Sequence, residues 1–317
     1  MNAKILPILV SIALLVGLIY YSGASKVISL FLRANPVYVV LGLLLWFVGA
    51  IIRSARWRYL LSKFDHIPFS KVLHVFIPGL FLSNLTPAKV GEPIRCFLLQ
   101  RVSKIGVSKS LPSILIEKML DVITMILISL IGILLLVKIS VIYLWLGLAI
   151  LIYGLVFSVA IYILLSKKRT EKILSLFFSL FSFLPFVRQL KTKVKGFSKT
   201  VGKSLKVYRS ERTIITTKIY TIFIWIIEGV ILFLAFKSLG LEVTILSTIV
   251  ILAITALLSV LTLLPGSLGS AEIISALLFT SIFPLSLAEV TAAVLLARFL
   301  SFWMYALVGS ILLPTLK

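Results

Sequence analysis

Apolar runs of spanning or near-spanning length recur from one end of this sequence to the other, and no water-soluble core can absorb them all. They are Ile5 to Tyr21, Val37 to Ile52, Val72 to Leu85, Met119 to Val137, Val141 to Leu165, Ile214 to Phe236, Val243 to Leu264, Ile273 to Phe283 and Leu285 to Leu313. A helix needs about 20 apolar residues to cross the hydrocarbon core of a bilayer. With 61% of the 317 residues hydrophobic, 13% charged and a mean hydropathy of +1.18, lipid must be the solvent for much of the surface. Bare backbone amides are costly in hydrocarbon, so spanning elements are helices or closed barrels, and barrel strands alternate instead of running apolar throughout. The expected fold class is an all-α integral membrane protein, a single transmembrane domain over residues 1–317. The first run precedes Ser22-Gly23-Ala24-Ser25, loosely resembling a signal-peptidase site; its near-spanning length and the spans that follow favour a retained helix.

Two regions do not read as plain spans. Val72 to Leu85 is short, carries Pro78-Gly79 at its middle, and runs into Thr86-Pro87 and the charged stretch Lys89 to Arg95. Val243 to Phe283 is interrupted at Leu264-Pro265-Gly266-Ser267-Leu268-Gly269-Ser270. Both are expected to be re-entrant or broken helices, giving about six full transmembrane helices plus two re-entrant elements. The positive-inside bias sets the orientation. With both termini cytoplasmic in the plasma membrane, that side collects Lys4 and Lys317, five basic residues from Arg53 to Lys71, five from Lys89 to Lys109 and fourteen from Lys167 to Lys218; outside fall Lys26, Arg33, Lys138 and Lys237. A full crossing by Val72 to Leu85 would put Lys89 to Lys109 outside and weaken the bias. Within the basic cytoplasmic loop 166–212, Ile173 to Val187 reads either as an interfacial helix or as a packed connector.

The net charge of +22 would raise nucleic acid as a partner for a soluble chain. Here basic loops facing anionic headgroups account for it, and no recognition motif stands in the loops, so membrane lipids and not nucleic acid are the expected partners. One cysteine, Cys96, and two histidines, His66 and His74, assemble neither a disulfide framework nor a Cys/His zinc or haem site. No metal and no cofactor is expected. Cys96 reads as a small apolar filler, and the histidines as solvated or capping groups.

Two portions of the chain, 37–137 and 213–313, rhyme at a spacing of about 180 residues. Trp46 and Gly49 correspond to Trp225 and Gly229, and Pro87 and Gly91 to Pro265 and Gly269. A carboxylate follows each turn, Glu92 or Glu272, and a cation follows 26 residues later, Lys118 or Arg298. In the preferred topology the units are inverted copies, with both broken helices near the bilayer centre. Ionisable groups inside spans cost about 2.5–3.5 kcal/mol each on insertion scales and face a partner or a wet cavity. Glu92, Arg95, Glu117, Lys118, Asp121, Glu272 and Arg298 are therefore site candidates. Glu117 and Asp121 share a helical face, and Lys118 is placed to neutralise Asp121; alternatively, Glu92–Arg95 and Glu117–Lys118 are positioning salt bridges. Glu228 and Glu289 rank lower, lacking a basic partner nearby in sequence. Asn84 precedes the turn at Pro87, and Gly91, Pro265, Gly266 and Gly269 shape loops whose exposed amides suit a phosphate or carboxylate.

The stretch Asn84-Leu-Thr-Pro87-Ala-Lys-Val-Gly91-Glu92-Pro93-Ile-Arg95, then Ser110 through Ile116-Glu117-Lys118 to Asp121, and Leu264-Pro265-Gly-Ser-Leu-Gly269-Ser-Ala-Glu272 resembles the transmembrane flippase region of lysylphosphatidylglycerol synthetases and their stand-alone relatives. The resemblance covers nearly the whole chain. It implies movement of an aminoacylated phospholipid between leaflets. In that family, transfer of the amino acid from tRNA belongs to a separate soluble domain, which is not read in the sequence up to Lys317, so synthetase activity is not carried over. Lys118 departs from the arginine expected beside the glutamate, a point charge in place of a bidentate fork.

Three functions are therefore weighed. The leading expectation is a lipid flippase or transporter in which Arg95, Lys118 or Arg298 hold phosphate oxygens of an anionic or phosphate-bearing lipid, Glu92 and Glu272 balance them, and the hairpins alternate access. The second is an enzyme acting on a lipid headgroup, with Glu117 and Asp121 holding Mg²⁺. The third is a non-transporting partner of a cell-envelope assembly that docks through the basic loop. Neither the lipid nor the oligomeric state is read from the sequence.

Overall fold

The computed structural model describes residues 6–86, 91–136, 147, 152, 154–155, 201, 204–208 and 210–316. Among the described residues the helices are α1 (Leu6–Ser22), α2 (Ala24–Leu32), α3 (Pro36–Leu61), α4 (Phe69–Asn84), α5 (Ile94–Val102), α6 (Val107–Leu136), α7 (Glu211–Ser238), α8 (Ile245–Val260), α9 (Ser270–Ile282), α10 (Leu287–Arg298) and α11 (Met304–Leu312), the last two joined by a π-helical turn, Phe299–Trp303. The chain is an all-α membrane protein. Helix α3, helix α6, helix α7 and the continuous stretch α10–α11 are each long and apolar enough to cross a bilayer, and α1 with α2 forms a further pair bent by 85°. The expected span Val141 to Leu165 and the segment Ile173 to Val187 fall almost wholly outside the described residues.

Helix ends follow local chemistry. The Asn35 side chain accepts from the Val37 amide at 3.0 Å with Pro36 in the first turn of α3, an N-cap with a preorganised φ. Thr244 and Ser247 form a reciprocal capping box for α8, and Ser286 and Glu289 one for α10, satisfying amides that lipid cannot. Glu289 is thus a structural cap. Gly23, at φ +84°, turns the chain sharply between α1 and α2.

Two helix–break–helix units stand where sequence reading expected them. Helices α4 and α8 have 16 residues each, about 24 Å long, short of the roughly 30 Å hydrocarbon core. Each is followed by a break and then a shorter helix, α5 or α9, and then a long one. The helices that open the two units, α3 and α7, run antiparallel: the Asn35 amide bonds to the Ser238 carbonyl at one end, and Arg56 bonds to Thr221 towards the other. Two further contacts are reciprocal, α6 against α8 and α11 against α4.

Glycines set the closest approaches. A Cβ on Gly229 of α7 would lie 3.0 Å from the Ile249 Cα of α8, backbone that no rotamer change can move, whereas Gly17 has open space. Gly229→Ala is therefore expected to lower stability by about 1–3 kcal/mol while Gly17→Ala is near neutral, as read by thermal unfolding in detergent. Equal melting temperatures for the two variants would contradict this packing.

Candidate functional site

The span expected to end at Ile52 continues as helix to Leu61. Arg53 and Arg56, read from sequence as part of the basic flank after the span, lie on this helix and turn into the bundle. The physical reason is neutralisation: Arg53 pairs with Glu228 of α7 at 2.6 Å, and Arg56, 3% exposed, lies between two carboxylates of α6. Its Nε donates to Glu117 Oε1 at 3.2 Å, while Nη1 and Nη2 donate to the two oxygens of Asp121 at 2.5 and 3.3 Å. A further bond from Nη1 reaches Thr221 Oγ1 at 2.8 Å. The planar fork of arginine is what allows one side chain to serve four oxygens on three residues.

Arg95 of α5 donates to the second oxygen of Glu117 and lies over the rings of Trp57 and Phe76. Glu117 is fully buried, and both its oxygens face guanidinium groups. Lys118 reaches Glu92 at 2.5 Å and Asp121 at 3.8 Å. The pairings differ from the positioning salt bridges considered above: Glu92 is held by Lys118, and Glu117 by Arg56 and Arg95; Glu117 and Lys118, adjacent on α6, point to different sides. Three cations, Arg56, Arg95 and Lys118, meet three carboxylates, Glu92, Glu117 and Asp121. Lys118 is the accessible member, its side chain 43% exposed.

The second break carries a matching pair. Glu272 Oε1 accepts from Arg298 Nε at 2.6 Å and Oε2 from the Gly269 amide at 2.7 Å, while Arg298 Nη2 donates to the Gly266 carbonyl at 2.7 Å. Arg298 also lies 4.5 Å from the ring of Phe302, in the π-helical turn. Gly266 and Gly269 take φ of +58° and +82°, and Leu263 and Ser267 hold +55° and +54°. Left-handed non-glycine residues cost about 1–3 kcal/mol each and cluster at functional sites. The first break is braced by the Gly91 amide donating to Thr86 Oγ1 at 2.8 Å.

The two breaks meet. A side chain built on Gly266 would lie 3.1 Å from the Asn84 carbonyl oxygen and 2.6 Å from Phe302. Asn84 is buried, and its Oδ1 and the Nε of Arg95 have no hydrogen-bond partner among the described residues, so both keep bonding capacity at the first break. Pro87 lies outside the described residues, and Pro265 stands in the second break.

Residues 8–309 match the family described as the lysylphosphatidylglycerol synthase TM region. The chain belongs to this family. Within the lysylphosphatidylglycerol synthase TM region family, it is similar to a UPF0104 membrane protein of Pyrococcus horikoshii, 26% identical with 98% of this chain and 96% of the relative covered. A UPF0104 membrane protein of Methanocaldococcus jannaschii is 23% identical over 98% of this chain and 94% of its own, and one of Methanothermobacter thermautotrophicus 25% over 97% and 94%.

Sequence reasoning missed Arg53 and Arg56 because they follow the apolar run directly and resemble a cytoplasmic flank. A signal was present: Glu117, Asp121 and Glu228 stand in or beside apolar runs and require cations, and Arg53 and Arg56 are three residues apart on one helix.

Proposed function

We propose that this membrane protein moves a phospholipid or lipid-linked anionic headgroup between the leaflets of the plasma membrane. The observation that carries the reading is the meeting of two helix breaks at Asn84 and Gly266, each followed by a carboxylate paired with a cation 26 residues downstream. Units 37–137 and 213–313 are taken as inverted copies, and antiparallel α3 and α7 with reciprocal α6–α8 and α4–α11 packing are what a two-fold axis in the membrane plane requires. Both termini are placed in the cytoplasm, the first hairpin opening inward and the second outward.

The electrostatics suggest a partner exchange. Lys118 and Arg298 already face Glu92 and Glu272, so a headgroup phosphate binds by competing with a carboxylate for its cation. The released carboxylate is costly in a low-dielectric site, which favours return of the original pair once the lipid leaves. Asn84, Arg95, Gly91, Gly266 and Gly269 supply bonding capacity and close approach around the headgroup. A metal-dependent enzyme built on Glu117 and Asp121 has weaker support, since all four of their oxygens face guanidinium groups.

Purified protein in vesicles carrying a labelled phospholipid provides the test. Glu92→Gln and Glu272→Gln are each expected to reduce transfer to background with membrane insertion intact; wild-type rates in both would sink the assignment. Cysteine-accessibility mapping in a Cys96→Ser background is expected to label the first hairpin from the cytoplasm only and the second from outside only. Labelling of either hairpin from opposite sides at its two ends would overturn the inverted re-entry.

A further inference from the structure

We propose that a cleft beside the first hairpin holds an acyl chain of an anionic phospholipid, with Arg101 on the lipid's phosphate. This site is separate from the paired charges described above, and its occupancy does not depend on transport. The cleft has a volume of about 540 Å³ and is walled by Leu82, Ile94, Leu98, Leu313 and Leu316, with the exposed Arg101 at its rim. That volume lies within the roughly 300–1,000 Å³ of small-molecule sites.

Its polarity is graded. Leu82 stands two residues before the end of α4 and Ile94 opens α5, so both flank the first break. Leu316 packs in one cluster with Val72 and Val75, near the start of α4, where Thr315 bonds to His74 at 2.7 Å. The cleft therefore runs from an apolar end at the break to a rim at the end of α5. Arg101 is exposed there and makes no ion pair among the described residues, unlike Arg53, Arg56, Arg95 and Arg298. Lys104 and Lys109 follow it, and no acidic residue occurs between Glu92 and Glu117. An apolar slot ending in an unmatched cation within a basic rim complements an anionic amphiphile whose tail points inward, the orientation of a lipid in a leaflet.

The test uses the full chain in phosphatidylcholine nanodiscs containing trace phosphatidylglycerol with a diazirine on one acyl chain, and a phosphatidylcholine carrying the same diazirine as control. Adducts are mapped by peptide mass spectrometry. Adducts are expected to concentrate on Leu82, on residues 94–101 and on residues 313–316, with phosphatidylglycerol labelling about fivefold above the control. Arg101→Gln should bring that ratio near one, and Leu313→Trp should reduce both adducts by filling the cleft. Labelling spread evenly over the lipid-facing helices, or a ratio unchanged in Arg101→Gln, would overturn the proposal. Nothing moves between leaflets in this assay, so its failure leaves the transport reading standing, and a failure of transport leaves the cleft standing.

Discussion

Arg56→Ala is expected to destabilise the protein by about 3–5 kcal/mol, the cost of breaking a buried ion pair by removing one partner. Glu117 would keep Arg95, but Asp121 would keep only Lys118 at 3.8 Å, leaving a buried carboxylate poorly matched. Adding Asp121→Asn should recover part of the loss, because the surplus charge is removed with its partner. Arg56→Lys should recover less than a guanidinium provides, since an ammonium cannot face Glu117, Asp121 and Thr221 together in fork geometry. Unfolding in detergent measures each variant. A change within about 0.5 kcal/mol for Arg56→Ala would show that the network does not hold the bundle together.

Glu272→Ala is expected to produce a loss of similar size, about 3–5 kcal/mol, together with loss of lipid transfer. Glu272 is 1% exposed and acts twice, accepting the Gly269 amide and the Arg298 guanidinium. Its removal leaves a helix-start amide without its acceptor and Arg298 without a counter-charge, at a loop where Leu263 and Ser267 already hold left-handed conformations. Glu272→Gln keeps a side-chain acceptor for the amide and should be the more stable of the two variants. Equal stability of alanine and glutamine variants would show that the cap contributes nothing; wild-type stability in Glu272→Ala would refute the bracing of the second break.

The two breaks were legible because proline and glycine interrupt the apolar runs, and a helix that short cannot span the bilayer. Pro78-Gly79 is not itself the interruption, since α4 continues through it to Asn84. Glu92 with Lys118 and Glu272 with Arg298 were legible as matched pairs in sequence spacing, although their partnering was not. Neighbours in sequence suggested Glu92 with Arg95 and Glu117 with Lys118. The structure selects partners on other helices, because side-chain direction on a helix and the packing of α3, α5, α6 and α7 decide which charges meet.

By itself, the sequence determined that this chain is a bundle of apolar helices in lipid with two interrupted segments, since the hydrophobic cost of exposing such runs to water leaves no other solvent. Only the tertiary structure decided that Arg53 and Arg56 belong inside the bundle, that Arg56 lies between Glu117 and Asp121, and that Asn84 meets Gly266. These are contacts between residues far apart in the chain. Their energies depend on distance and burial, which spacing along a sequence does not contain.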